Sequence, residues 1–261
     1  MPDLHLRLRY CNMRGHTKCE LSEADLHRAF LEVDLPAAEA GFVLVDVWDR
    51  HYLRSHLERG AEITRERIVP MLEACRRAGV TIVHAPAPEA AHKYEPWLQY
   101  AGDEELFGAE RDPQTWPPPD FRSRTGDYAG LAKPQAAPEL DRQIQSQLRD
   151  RRIIPEAEPQ PGDFVMARGS QLQRLCRHRK LLHLFYVGFA TNMCVVGRDY
   201  GIRAMAALGY NCMLVRDCTT GIESADTLGS MMLTKAAVWE VEMILGFTLT
   251  SEELIAACAS A

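Results

Sequence analysis

Residues 181–201 read LLHLFYVGFATNMCVVGRDYG. An apolar run, a glycine and then a helical pattern marks a strand that feeds a helix. Leu181–Val187 is predicted as the strand, Gly188 ends it, and Asn192–Leu208 is predicted as the helix. The same alternation recurs on both sides. Phe42–Asp46 (FVLVD), Val80–His84 (VTIVH, behind the helix-ending Gly79), Phe164–Ala167 and Tyr210–Val215 (YNCMLV) read as strands. Ile63–Ala78 and Ser224–Leu245 read as helices. Strands that are apolar on both faces and alternate with helices belong to a parallel sheet covered on both sides. The expected fold is therefore α/β: a doubly wound, Rossmann-like, mostly parallel sheet with helices on both faces, spanning 41–261. Residues 1–40 are expected as an N-terminal appendage. Residues 85–137, rich in proline and carrying Trp97, Trp116 and Tyr128, are expected as an insertion that serves as an ordered lid or interface.

Composition excludes several classes. A net charge of −6 with 46% hydrophobic and 25% charged residues argues against nucleic acid as a partner. No apolar run reaches the roughly 20 residues that cross a bilayer, so no membrane role is expected. The opening MPDLHLRLRY has no continuous apolar core of the kind a secretory signal needs. Eight cysteines occur with no C-x-x-C spacing, which favours reduced thiols in a cytoplasmic protein. The apolar, Met-rich stretch Ser224–Leu245 and the aromatic insertion offer surplus hydrophobic surface, so a homo-oligomer is expected.

In an open parallel sheet, ligands bind at the carboxyl ends of the strands. Asp46, His84, the turn Gly188–Cys194 and Asp217 are the residues predicted there. No G-x-G-x-x-G and no P-loop motif is present, so no dinucleotide or nucleotide cofactor is expected. Cys194 falls in the first turn of its predicted helix, where the dipole is expected to lower the thiol pKa. The N–H groups there can also hold an oxyanion. The rival reading of Cys194 is a small buried core residue. Asp46, ending an adjacent strand, is a candidate general base for the thiol. Trp48 and His84 are candidate substrate contacts. Asp49-x-His51, with His56 following, has a metal-like spacing, but solvent contacts in an exposed loop are the preferred reading and no metal is assigned. Cys11, His16 and Cys19 are read as structural, and the charges around Arg149–Arg152 as a solvated helix end.

The GFATNMC turn, Asp46 after FVLV, and GDFVMAR together resemble the isochorismatase-like cysteine hydrolases, a group that includes nicotinamidases and N-carbamoylsarcosine amidohydrolases. The resemblance covers roughly residues 40–247 and is most specific at Gly188, Thr191 and Cys194. It implies a Cys nucleophile, an Asp base and a Lys, with no organic cofactor and a small-molecule amide as substrate. It also implies a cis peptide between Phe189 and Ala190, an oxyanion hole from the Ala190 and Cys194 N–H groups, and a dimer or tetramer. One position departs: Asp163–Arg168 (DFVMAR) carries Arg168 where the family has Lys. A guanidinium stays protonated, so Arg168 is expected to stabilise charge without shuttling a proton. The expected function is cysteine-dependent hydrolysis of a small amide or related C–N bond through an acyl-enzyme. A catalytically silent binding or scaffold protein and a vinyl-ether hydrolase stay open as alternatives.

Overall fold

The computed structural model describes residues 3–13, 20–97 and 117–261. Strands β1 (Asp3–Cys11), β2 (Arg28–Pro36), β3 (Ala40–Val45), β4 (Thr81–Ala85), β5 (Phe164–Val165), β6 (His183–Phe189), β7 (Asn211–Thr220) and β8 (Phe247–Leu249) form one sheet. Their order is β2-β1-β8-β7-β6-β3-β4-β5. From β8 to β5 every pairing is parallel. Side chains on a strand alternate between faces, and that alternation builds two cores. Phe42, Leu44, Phe185 and Val187 enter one, while Val43, Val45, Leu184 and Tyr186 enter the other. All six residues of β3 are buried as a result.

β4 and β5 lie on one side of β3, whereas β6, β7 and β8 lie on the other. The order thus reverses between β3 and β6, so the connections leaving their carboxyl ends run in opposite directions and a crevice forms outside them. The first 40 residues extend this sheet. β1 pairs antiparallel with β2 over its whole length and meets β8 at Arg9↔Thr248. The buried Glu242 carboxylate anchors that edge, accepting from Arg9, Arg28 and Thr248.

Several predicted elements are redrawn. The expected Ile63–Ala78 helix starts earlier: Arg54–Ile63 passes through a wider π-helical stretch, Thr64–Ile68, into Val69–Arg77. The expected Asn192–Leu208 helix is two pieces, Thr191–Val195 and Ile202–Ala207. The chain folds back on itself between them, and a Cβ on Gly201 would stand 2.9 Å from the Val195 carbonyl oxygen. The expected Ser224–Leu245 helix begins only at Met232. Ahead of it the Thr227 hydroxyl accepts from the Ser224 N–H, a local bond that competes with helix. The Glu223 carboxylate then caps the helix start, accepting from the Leu233 and Thr234 N–H groups. Asp217, expected at a strand end, lies within β7; its carboxylate holds Ser251 at the start of the helix Ser251–Ser260. Within the insertion, Tyr128 is exposed, while residues 98–116, Trp116 among them, lie outside the described residues, as do His16 and Cys19; the helix Pro138–Asp150 follows the insertion.

Candidate active site

Asp46 follows β3 directly and adopts φ 52°, the left-handed region that Asp tolerates better than most residues. The turn is tied down by the Asp46 N–H, which donates to the Ala85 carbonyl at 3.2 Å. Its carboxylate is thereby turned into the crevice, where it is 1% exposed. On the neighbouring strand, Gly188 has φ +106°, and a Cβ there would lie 1.9 Å from the Val45 carbonyl oxygen. Only glycine lets β6 approach β3 this closely. The Phe189–Ala190 peptide bond that follows is cis.

The turn beyond is held by hydroxyls and an amide. Thr219 donates to the Gly188 carbonyl at 2.7 Å, so the 2.7 Å contact between Thr191 and Thr219 is a bond donated by Thr191. Asn192 grips the Ile222 backbone at both ends, donating to its carbonyl and accepting from its N–H, each at 3.0 Å. The Ala190 carbonyl accepts from the Met193 and Val195 N–H groups. Cys194 is carried on this fixed turn, half-buried, while the other six described cysteines are buried.

Cys194 and Asp46 are close enough to perturb each other's ionisation, and neither Asp46 carboxylate oxygen has a hydrogen-bond partner. Burial raises the Asp46 carboxyl to about 6, opposed by the neighbouring Cys194 thiol and by the charges of Arg198 and Arg151. Burial and the adjacent carboxylate push the Cys194 thiol up to about 12, opposed by Arg198. The expected lowering of the thiol pKa is therefore corrected. Thr191–Val195 is too short to carry a large dipole, and desolvation prevails. The resting pair is a neutral thiol beside a base poised near neutrality.

The cation beside both partners is Arg198. Its guanidinium lies 3.8 Å from Asp46 Oδ2 and its charge acts on the Cys194 thiol. Arg168, expected in that place, is exposed and forms the N-cap of the helix Gly169–Arg179. There the Gln171 side chain accepts from the Ala167 and Arg168 N–H groups, and the Gly169 N–H donates to Asp199. Arg198 stands four residues after Cys194. That i, i+4 spacing puts two residues on one face and was the available signal. Arg151 was also misplaced as part of a solvated helix end. It is 7% exposed, pairs with Glu89 at 2.9 Å, and stacks over Trp48 with its guanidinium carbon 4.2 Å from the ring centre.

A narrow cleft of about 10 Å³ adjoins Asp46, lined also by Trp48, His51, His56, Gly60 and Phe189. Trp48 therefore lines it. His84 does not: it is buried with Nε2 3.1 Å from Asp163, which Arg76 also pairs. Asp49 is engaged by Arg50 and by the Arg152 N–H, and His51 Nδ1 accepts from the Leu53 N–H. Among the described residues, no group of three or more His, Cys, Asp or Glu side chains has a metal-holding arrangement.

A parallel sheet with a carboxylate and a thiol at its switch point places the chain among the doubly wound α/β enzymes. It belongs to the isochorismatase family, whose domain matches residues 40–242, and is a hydrolase of that family. It is similar to the ureidoacrylate amidohydrolase RutB of Variovorax paradoxus (strain S110), 31% identical over 119 residues, which are 43% of this chain and 44% of that relative. The RutB of Caulobacter segnis is 25% identical over 204 residues, covering 74% of this chain and 72% of that one. Among solved structures, a cysteine hydrolase from Pseudomonas syringae pv. phaseolicola 1448A superposes with a TM-score of 0.57 at 15% identity. That match covers 86% of this chain and 94% of the other, and shows the shared fold. No helix among the described residues is long and apolar enough to cross a membrane.

Proposed function

We propose that the chain hydrolyses the C–N bond of a small amide or ureide through a thioester on Cys194. The observation that carries this reading is the juxtaposition of Cys194 with the buried Asp46 carboxylate, whose oxygens lack a hydrogen-bond partner, and with Arg198 3.8 Å from that carboxylate. The amidohydrolase names of the relatives support the bond type. Asp46 takes the thiol proton as sulfur attacks the carbonyl carbon. The Ala190 and Cys194 N–H groups receive the developing oxyanion. The C–N bond then breaks, the proton passes from Asp46 to the leaving nitrogen, and an amine or ammonia departs. Water, deprotonated by Asp46, cleaves the thioester to release the acid and restore the thiol. Arg198, rather than Arg168, takes the cationic position in this scheme. Its charge opposes the rise of the thiol pKa and holds the carboxylate ready.

The test is ammonia release from a panel of small amides and ureides, with intact-mass detection of the acylated protein. Wild type is expected to release ammonia and to carry the acyl mass on Cys194, and Cys194→Ala to do neither. Equal rates from both proteins would overturn the nucleophile assignment. Release by neither protein would leave the fold without the activity proposed for it.

A further inference from the structure

Two buried cysteines that the proposed chemistry does not use face each other in the core. Cys75 lies on the helix Val69–Arg77 and Cys258 in the last turn of the helix Ser251–Ser260, and these helices pack directly against one another. The two Sγ atoms are 3.9 Å apart, within reach of an S–H···S bond. They bring together positions 183 residues apart in the chain. A disulfide sets its sulfurs about 2 Å apart, which leaves a short approach for side-chain rotation and a slight helix shift to close.

The pair is asymmetric. Cys75 is 0% exposed, whereas Cys258 is 7% exposed and the next residues, Ala259 and Ser260, are open to solvent. The end of a helix opens more readily than its middle, so Cys258 is the sulfur that a small solute meets first. The bond between the thiols favours the same order. With the Cys75 S–H donating, the Cys258 thiol is lowered, and the Arg77 charge assists against burial. The Cys75 thiol is pushed well up by that bond, by burial, and by its neighbours Cys258 and Cys218. One sulfur is thus prepared to react as a thiolate while the other waits as a thiol.

We propose that Cys75 and Cys258 are a disulfide-forming pair, oxidised by hydrogen peroxide and stapling the helix Ser251–Ser260 to the helix Val69–Arg77. The Cys258 thiolate attacks one peroxide oxygen. The O–O bond breaks, an S–OH group forms on Cys258, and the departing oxygen leaves as water with the proton that Cys258 gave up. The Cys75 sulfur then attacks the Cys258 sulfur. The S–S bond forms, the S–O bond breaks, and the hydroxide leaves as a second water with the Cys75 proton. Two thiols are oxidised to one disulfide, and one peroxide is reduced to two waters. A cross-link over so long a stretch restricts the unfolded chain, so the oxidised form is the more stable one. No step involves Cys194, and the inference stands apart from the hydrolase reading.

Cys194→Ala, which removes the competing half-buried thiol, is treated with hydrogen peroxide in native buffer, blocked with iodoacetamide and mapped as non-reduced peptides. One cross-linked species is expected, joining the peptide that holds Cys75 to the one that holds Cys258, and dithiothreitol is expected to separate them. The urea midpoint is expected to rise on oxidation and to return on reduction. In Cys75→Ala, made in the same background, nothing resolves the oxidised Cys258, so dimedone is expected to trap its sulfenic acid. Cys258→Ala is expected to leave Cys75 unmodified. Circular dichroism checks that each variant is folded, and the peptide map of the parent protein decides the matter where one is not. Both thiols intact after millimolar peroxide, a cross-link that appears only in urea, or a cross-link to Cys218 instead would each overturn the inference. So would sulfinic acid on Cys258 without a cross-link, or an oxidised protein whose midpoint is unchanged.

Discussion

The Arg198 guanidinium stands 3.8 Å from Oδ2 of Asp46, joining a residue at the end of β3 to one four positions beyond Cys194. This pair fixes the charge state in which the site rests. Arg198→Ala is expected to lower kcat/KM about 10²- to 10³-fold, the loss typical of a stabilising donor at a reacting centre. Arg168→Ala is expected to stay within about twofold of wild type, as for an exposed surface change. Steady-state kinetics on both variants separate the two arginines, and the opposite ranking would return Arg168 to the site.

Alkylation of Cys194 by iodoacetamide is expected to follow ionisation of Asp46, rising with an apparent pKa near 6. In Asp46→Asn the step near pH 6 is expected to vanish, and the thiol, no longer beside a carboxylate, is expected to ionise at a lower pH than the wild-type thiol does on its own. Peptide mass spectrometry across pH reads both profiles. Cys194 is also expected to label ahead of the six buried cysteines.

Removing that carboxylate is expected to stabilise the fold. The Asp46 carboxyl is raised from 3.8 to about 6. Between those values the native state holds a proton that the unfolded chain has lost, so wild-type stability falls as pH rises through that window. Asp46→Asn escapes the penalty. Its advantage is expected to open between about pH 4 and 6 and to level off near 3 kcal/mol above that, as denaturant titrations at several pH values will read.

Gly188→Ala places a methyl group against the Val45 carbonyl at a positive φ. A cost of about 3 kcal/mol or more is expected from the steric conflict, with loss of activity as β6 shifts from β3. Urea unfolding gives the stability, and an unchanged midpoint would contradict the packing described for this strand pair.

Leu228, Met232, Met243 and Ile244 are exposed, between 38% and 64%, on and beside the helix Met232–Glu240. Light scattering is expected to return a mass above that of one chain at micromolar concentration, and Ile244→Glu to lower it.

The strands were legible because burial on both faces leaves apolar runs such as FVLV and LFYV. Asp46 and Cys194 were legible because each follows such a run at the crevice. Arg198 was hidden by the assumption of one long helix after Cys194, which obscured the turn around Gly201 that ends the segment carrying it. Arg151 was hidden for another reason. Its neighbours Arg149, Asp150 and Arg152 read as surface charge, and nothing local records that Trp48, over a hundred positions earlier, would stack beneath it. The histidines of the cleft suggested a metal by spacing alone. The Leu53 N–H that occupies Nδ1 of His51 is met only in the folded chain.

The hairpin β1–β2 has a consequence for life at high concentration. An exposed strand edge invites pairing with another molecule, and proteins blunt such edges with charge, proline and brevity. Here β2, at one margin of the sheet, carries Arg28, Glu32, Asp34 and Pro36, and its exposed Phe30 is roofed by the Arg7 guanidinium at 3.8 Å. At the opposite margin β5 is two residues long. Neither rim is an inviting template, so the chain is built against stacking into fibres through its own sheet.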